Sequence, residues 1–257
     1  MEIVSIINQK GGVGKSTTAA SLGHGLSEKG FKVLFIDLDA QGNLSSTFSI
    51  PNSDSDNEPN SVNVLLKKIS ITDAIIHTDT GDIIPSSPFL ANIDSLITDP
   101  VGKDKRMLKV IEPLKTSDLY DYVIIDTPPS LSLLTINALT ASDSIVIPAQ
   151  ADVFSIQGID QLFETVNAIW EYNNKNLKVK GILLTRYNNR TVISRQVASF
   201  LEEKSTTAGT FLYNTRIREC TALKEAQIEQ MPIYKYDKRS NAAIDYMNFV
   251  EEFLTKG

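Results

Sequence analysis

The sequence predicts a three-layer α/β fold: a mostly parallel sheet with helices on both faces. Two observations carry that prediction. Apolar runs rich in Ile and Val recur at "IVSII" (3–7), "KVLFID" (32–37), "DIIP" (82–85), "DYVIID" (121–126), "SIVIPA" (144–149) and "GILLT" (181–185). They are mostly apolar throughout, as strands covered on both faces must be. Helical patterns lie between them, and strands alternating with helices build a parallel sheet.

The first strand runs directly into "GGVGKST" (11–17), with a helix expected beyond it. After the second strand, "SIPNSDSDNEPNS" (49–61) is polar, holds two prolines and has little to bury. It is expected to be a mobile surface loop rather than a domain linker, because the sheet pattern resumes after it. Residues 1–257 are therefore expected to form one domain. In 156–172, Ile159, Leu162, Phe163, Val166, Ile169 and Trp170 share one helical face, with Gly158 near the start. The last element, 241–254, repeats the pattern with Ile244, Met247, Val250 and Leu254.

Composition excludes several function classes. No run of eighteen apolar residues occurs, so no membrane span is expected. The opening "MEIVSIINQK" has no basic leader, and no secretory signal is expected. The single cysteine, Cys220, rules out an internal disulfide framework or a paired-thiolate cluster within one chain, and it fits a reducing cytoplasm. A net charge of −6 argues against a surface coated in positive charge. Yet residues 175–239 hold 13 basic and 6 acidic side chains, which leaves room for a local basic face.

"GGVGKST" sits between a strand and a helix, the context a phosphate loop requires. Gly11, Gly12 and Gly14 permit a tight turn whose N–H groups, with that of Val13, point at phosphate oxygens. The helix adds its positive end. Lys15 would sit on the β- and γ-phosphates of ATP, the Ser16 hydroxyl on Mg²⁺, and Thr17 near the α-phosphate. "FIDLDAQGN" puts Asp37 and Asp39 after the second strand, and "VIIDTPPS" puts Asp126 after another. Carboxylates at the carboxyl ends of parallel strands converge on the ligand crevice. Asp126 suits a carboxylate that holds a metal-bound water, with Asp37 as a second such group. Asp39 lies where it can orient or deprotonate a water attacking the γ-phosphate, and Pro128 and Pro129 stiffen a turn near that phosphate.

A second lysine, Lys10, precedes the glycines, and a loop that cradles one triphosphate has no evident use for it. With "NQKGGVGKSTT", "VLFIDLDAQGN", "DYVIIDTPPSLSLLTINAL" and "ADVFSIQGIDQL" in order, the sequence resembles the ParA/Soj family of DNA-partitioning ATPases, which carry a lysine-first (deviant Walker A) phosphate loop. The resemblance covers nearly the whole chain. It implies that Lys10 reaches across a homodimer to the phosphates bound by the other subunit, and that Asp39 is the residue hydrolysis needs most. It places Asp152 and Gln157 at the dimer face, and Arg218, Glu219 and Cys220 where family members often carry Pro-Arg-Asn beside the adenine. Ala40 replaces a proline common in the acidic loop. Arg190 matches an arginine that binds non-specific DNA in some members, and Arg195 follows on the next helix. A second family arginine is replaced by Ala222, so Arg218, Lys224, Lys235, Lys238 or Arg239 would have to compensate. A ParB-like centromere-binding partner and a cytoplasmic, nucleoid-associated location follow from the same resemblance.

Rival readings are a MinD-like membrane-positioning ATPase, an iron–sulfur carrier and a metabolic ATPase of the same group. The tail "DYMNFVEEFLTKG" carries Glu251 and Glu252 and reads as a packed helix, which counts against lipid. A lone cysteine counts against a cluster.

Overall fold

The computed structural model describes residues 1–52, 58–99 and 101–256. Residues 53–57, the middle of the expected polar loop, lie outside the described residues. Its far end is not surface loop: Asn60 and Ser61 are buried, and the Asn60 side chain accepts a hydrogen bond from Asn63 N at 2.9 Å to cap a short helix.

Among the described residues eight strands form one sheet: β1 (Glu2–Ile6), β2 (Val33–Asp37), β3 (Ile76–Thr78), β4 (Gly81–Ile84), β5 (Tyr122–Asp126), β6 (Ser144–Gln150), β7 (Lys178–Tyr187) and β8 (Leu212–Arg218). Their order is β3-β4-β2-β5-β1-β6-β7-β8, parallel throughout except where β3 pairs antiparallel with β4. All six expected strands are present. The two that sequence patterning misses, β3 and β8, are the sheet's edges. One is three residues long, and the other carries polar side chains along much of its length, as edge strands do.

The α-helices, in order, are α1 (Lys15–Glu28), α2 (Asn43–Ser46), α3 (Ser61–Leu65), α4 (Ile93–Leu96), α5 (Arg106–Lys115), α6 (Leu133–Ala141), α7 (Val153–Tyr172), α8 (Val192–Thr207), α9 (Thr221–Ile228), α10 (Ile233–Tyr236) and α11 (Asn241–Lys256). Side chains alternate across the sheet and divide the core in two layers. Val4, Ile6, Phe35 and Ile124 meet Leu22 and Leu26 of α1 and Phe249 and Phe253 of α11. Ile3, Leu34, Ile36, Val123 and Ile125 face the other way, onto Met107, Ile111 and Leu114 of α5 and Leu134 and Ala138 of α6. On that second face, Ile145, Ile147, Ile182 and Leu184 pack on Ile159, Leu162, Val166 and Ile169 of α7.

Two helix expectations need correction. α7 begins three residues earlier than its apolar periodicity, because Asp152 caps it by accepting from Ser155 N at 2.9 Å. The buried face of α11 is set by Ala242, Tyr246, Phe249, Val250 and Phe253, while Ile244 is 45 % exposed. Aromatic bulk, rather than the aliphatic stripe, decides which way the helix turns. α1 lies unusually close to β2: a Cβ on Gly23 would meet the Phe35 ring at 2.2 Å. That close seat fixes the helix whose first turn carries Lys15 and Ser16.

Candidate nucleotide site

β1 ends at Ile6 and α1 starts at Lys15, so residues 7–14 must reverse direction above the carboxyl edge of the sheet. Gly12 and Gly14 do this with φ of +76° and +88°, a region that excludes most side chains. The loop's carbonyls are tied down from outside. Gln150 Nε2 donates to Gly12 O at 2.9 Å, Thr185 Oγ1 to Val13 O at 2.7 Å, and Thr18 N to Gly14 O at 2.8 Å. With the carbonyls turned away, the loop can present N–H groups to an anion. Over it lies a cavity of about 450 Å³, lined among others by Gly11, Lys15, Ser16, Thr17, Asp39 and Pro129.

Lys15 is 7 % exposed, and its ammonium reaches back to Lys10 O at 3.3 Å. Burial lowers its pKa, and the carboxylates of Asp126 and Asp39 offset part of that. Asp37, Asp39 and Asp126 are all buried at neighbouring strand ends, but they differ in what they hold. Asp37 accepts from Ser45 N at 2.8 Å, Ser45 Oγ at 2.7 Å and Asp39 N at 3.1 Å, so its carboxylate shapes the acidic loop. Burial pushes its pKa up to about 6 in spite of those bonds. Asp39 accepts from Gln41 N at 3.0 Å and lines the cavity. Neither oxygen of Asp126 has a hydrogen-bond partner. Burial first, then the charge of Asp37, raises its pKa well above the usual carboxylate range, and the nearby Ser16 hydroxyl offsets only part of this.

An orphaned buried carboxylate is costly unless something else completes it. Beside a serine hydroxyl, a lysine and a ring of N–H groups, the missing component fits a hydrated Mg²⁺ bound with a nucleotide phosphate. Ser16 and Asp126 would hold such an ion, the latter through water. The donor set therefore fits Mg·ATP.

Beyond Thr17 a second, smaller cavity of about 60 Å³ continues the crevice between β7, β8 and α9, lined by Ile217, Arg218, Cys220, Leu223 and Tyr246 among others. Arg218 and Cys220, which the family resemblance puts beside the adenine, both line it. The Arg218 guanidinium, however, is forked onto Asp245 of α11 at 2.6 and 2.9 Å, which commits it to the fold. Gln227 Nε2 straps α9 to Thr17 Oγ1 at 3.0 Å. Sequence reading missed Gln227, Thr185 and Gln150. The first has no motif, while the other two follow from the rule that strand carboxyl ends face the ligand.

Lys10 is held apart from the crevice floor. Its ammonium pairs with Asp152, the α7 cap, and is partly exposed at the rim. Gln157, one turn further along α7, is exposed. Arg190 is exposed and lines a hollow of about 590 Å³ with Asn188, Asn189, Arg216 and Arg218. Arg195 does not line it; its Nη1 donates to Asn189 O at 2.8 Å and braces the loop that carries Arg190. Of the cations expected to compensate for Ala222, Lys235 donates to Asp79 O at 3.0 Å and Lys238 pairs with Glu28 at 3.8 Å. Arg216, which no motif marks, lies half-buried without an ion pair among the described residues, and burial lowers its pKa.

A crevice with oriented N–H groups and lysine at one end, an unsatisfied carboxylate beneath and a slot beyond belongs to the P-loop ATPases with a lysine-first loop. Comparison with known proteins narrows the class. An AAA domain family matches residues 1–179. The chain is 38 % identical over 258 residues to the sporulation initiation inhibitor protein Soj of Bacillus subtilis, covering 100 % of this chain and 99 % of that one. It is 31 % identical to the chromosome partitioning protein ParA of Caulobacter vibrioides, over 100 % and 95 % of the two chains. The chain belongs to the ParA/Soj family. Among solved structures, a plasmid partition protein of Borrelia burgdorferi bound to AMPPNP superposes with a TM-score of 0.83 at 28 % identity, over 100 % of this chain and 99 % of that one. A Mycobacterium smegmatis structure described as cobyrinic acid a,c-diamide synthase, with an ATP analogue and magnesium, gives 0.82 at 29 % over 98 % and 93 %.

Proposed function

We propose that this chain is a single-domain DNA-partition ATPase. Mg·ATP drives two copies together, the dimer holds duplex DNA without sequence preference, and hydrolysis stimulated by a ParB-like partner releases it. It would act in the cytoplasm on the nucleoid. The observation that carries the reading is the division of labour between the two lysines. Lys15 already lies buried on the floor, so its own triphosphate does not need Lys10. Lys10 stands at the rim on Asp152, where exchanging that carboxylate for a partner's phosphates would make dimerisation depend on nucleotide. Asp152 and Gln157 would then lie in the dimer face.

In this reading Gly11 to Thr17 bind the phosphates, and Mg²⁺ supplies charge neutralisation between them. Asp39 orients the attacking water, and Asp37 keeps the Asp39 loop in place. Arg190 and Arg216 would hold DNA phosphates, with Arg195 in support. The apolar face of α11 is committed to the core, so that helix is not itself free to lie on lipid.

Light scattering with and without ATP and Mg²⁺ tests the proposal. Wild type should dimerise with ATP, and Lys10→Ala should bind ATP yet stay monomeric. An unchanged ATP-bound dimer in Lys10→Ala would remove the trans role. Absence of DNA binding by the wild-type dimer at low salt would remove the partition role.

A further inference from the structure

Arg186 is the residue after Thr185 at the carboxyl end of β7, and its backbone has φ +47°. Left-handed backbone at a long-chained residue is disfavoured, and it persists where the surroundings over-determine it. They do so here. The Thr185 hydroxyl is fixed on Val13 O at 2.7 Å and lies 3.3 Å from Ala149 O, so the chain cannot shift before it leaves the sheet. The left-handed turn at Arg186 leaves its side chain lining the crevice.

Where it does so is specific. The phosphate cavity and the base-side cavity share four lining residues: Gly14, Thr17, Arg186 and Gln227. Lys15, Asp39 and the first glycines line only the former; Ile217, Cys220 and Tyr246 line only the latter. A nucleotide lying along both has its α-phosphate at that junction. Arg186 is exposed there, and among the described residues its side chain makes no hydrogen bond or ion pair within the protein. An uncommitted guanidinium carried on strained backbone at the junction of a phosphate slot and a base slot is a donor set aside for a ligand.

We infer that Arg186 binds the α-phosphate of the nucleotide, so that it holds ATP and ADP alike, unlike Lys10, which serves the dimer. The inference rests on the ATP-binding reading above. Its test is an equilibrium titration of wild type, Arg186→Asn and Arg186→Gly with fluorescent ATP and fluorescent ADP, together with thermal melts without nucleotide. Asn and Gly both accept left-handed backbone. Each variant should melt no lower than wild type, and up to about 2 °C higher as strain is relieved. Affinity for ATP and for ADP should fall together by about tenfold, the size of one charge-assisted hydrogen bond in an open crevice. Affinities within twofold of wild type for both nucleotides would overturn the assignment. A loss confined to ATP would also overturn it, because that result places the contact at the γ-phosphate. Wild type that binds neither nucleotide would sink the ATPase reading and this inference with it, an outcome distinct from the other two.

Discussion

The two ends of the crevice are built on different principles. The phosphate end sits over the central strands β1, β2 and β5, where the main chain itself is fixed: Asp37 accepts from two backbone N–H groups as well as from Ser45 Oγ, and the loop carbonyls are pinned by the Gln150 and Thr185 side chains from β6 and β7. The base end sits at the sheet's edge, between β7, β8 and α9, and is closed by side chains such as Gln227 on Thr17 and Arg218 on Asp245. Fixed backbone suits charge development in a reaction, since donors that need not reorganise stabilise it most. Adjustable side chains suit a ground-state contact or a partner surface. Substitutions at the phosphate end should therefore damage chemistry, and those at the edge should tune binding.

The largest expected effect lies at the phosphate end. Asp39→Ala should leave ATP binding intact and lower partner-stimulated hydrolysis by about 10²–10⁴-fold, the usual loss when a water-orienting group is removed. Wild-type turnover in a phosphate-release assay would contradict the role. Next in size is Lys15→Ala, which removes the buried ammonium facing Asp39 and Asp126 and leaves those carboxylates repelling the triphosphate. ATP affinity should drop by about 100-fold. A titration in Mg²⁺ that shows near-normal affinity would mean the backbone alone carries the phosphates.

The same division explains what the sequence made legible. The phosphate loop, Asp39 and Asp126 are visible because chemistry on a fixed backbone demands particular residues at short, fixed spacing. The central strands are visible because burial on both faces makes them continuously apolar. The edge is different. Arg186 and Gln227 come from separate segments and meet in the crevice only through the fold, and Arg216 joins Arg190 in its hollow in the same way, with no spacing to betray any of them. Edge strand β8 is missed for a related reason: one side faces solvent, so its pattern is diluted by Asn214, Thr215 and Arg216. The Lys10–Asp152 pair joins residues far apart in sequence and is likewise invisible until the sheet brings β6 beside β1.

A smaller effect belongs to the edge. Arg190→Glu should weaken binding to random duplex DNA several-fold while ATP binding and dimerisation stay intact. In the proposed reading the hollow it lines with Arg216 would offer a few phosphate contacts per subunit, and a dimer would double them. Binding by wild type should fall with salt by roughly 0.9 log units in K per phosphate contact per log unit of salt. A biosensor series at several salt concentrations should show a shallower slope for the variant. Equal slopes would move the DNA face elsewhere on the molecule.

The smallest effects come from two glycines that set the rigid and adjustable regions side by side. Gly23 in α1 faces Phe35 so closely that an added methyl would meet the ring at 2.2 Å. Gly23→Ala should therefore destabilise by about 1–3 kcal/mol, the common cost of overpacking, and the strain is transmitted to the helix that carries Lys15. Gly158 lies in the second turn of α7, and an added methyl there meets nothing within 4 Å. Gly158→Ala should stabilise the monomer by about 0.5–1 kcal/mol through helix propensity alone. Denaturant melts of the two variants measure both changes without nucleotide. A stabilised Gly23→Ala would show that α1 can lift from β2, and the contrast between a fixed phosphate end and an adjustable edge would fail. Gly158→Ala carries a second readout, because it adjoins Gln157 on the face proposed to meet the other subunit. There the methyl should leave monomer stability raised yet weaken the ATP-bound dimer, as the proposed interface would fill with the partner the space that is empty in one chain. A variant that is both more stable and fully dimeric with ATP would place the interface away from the start of α7.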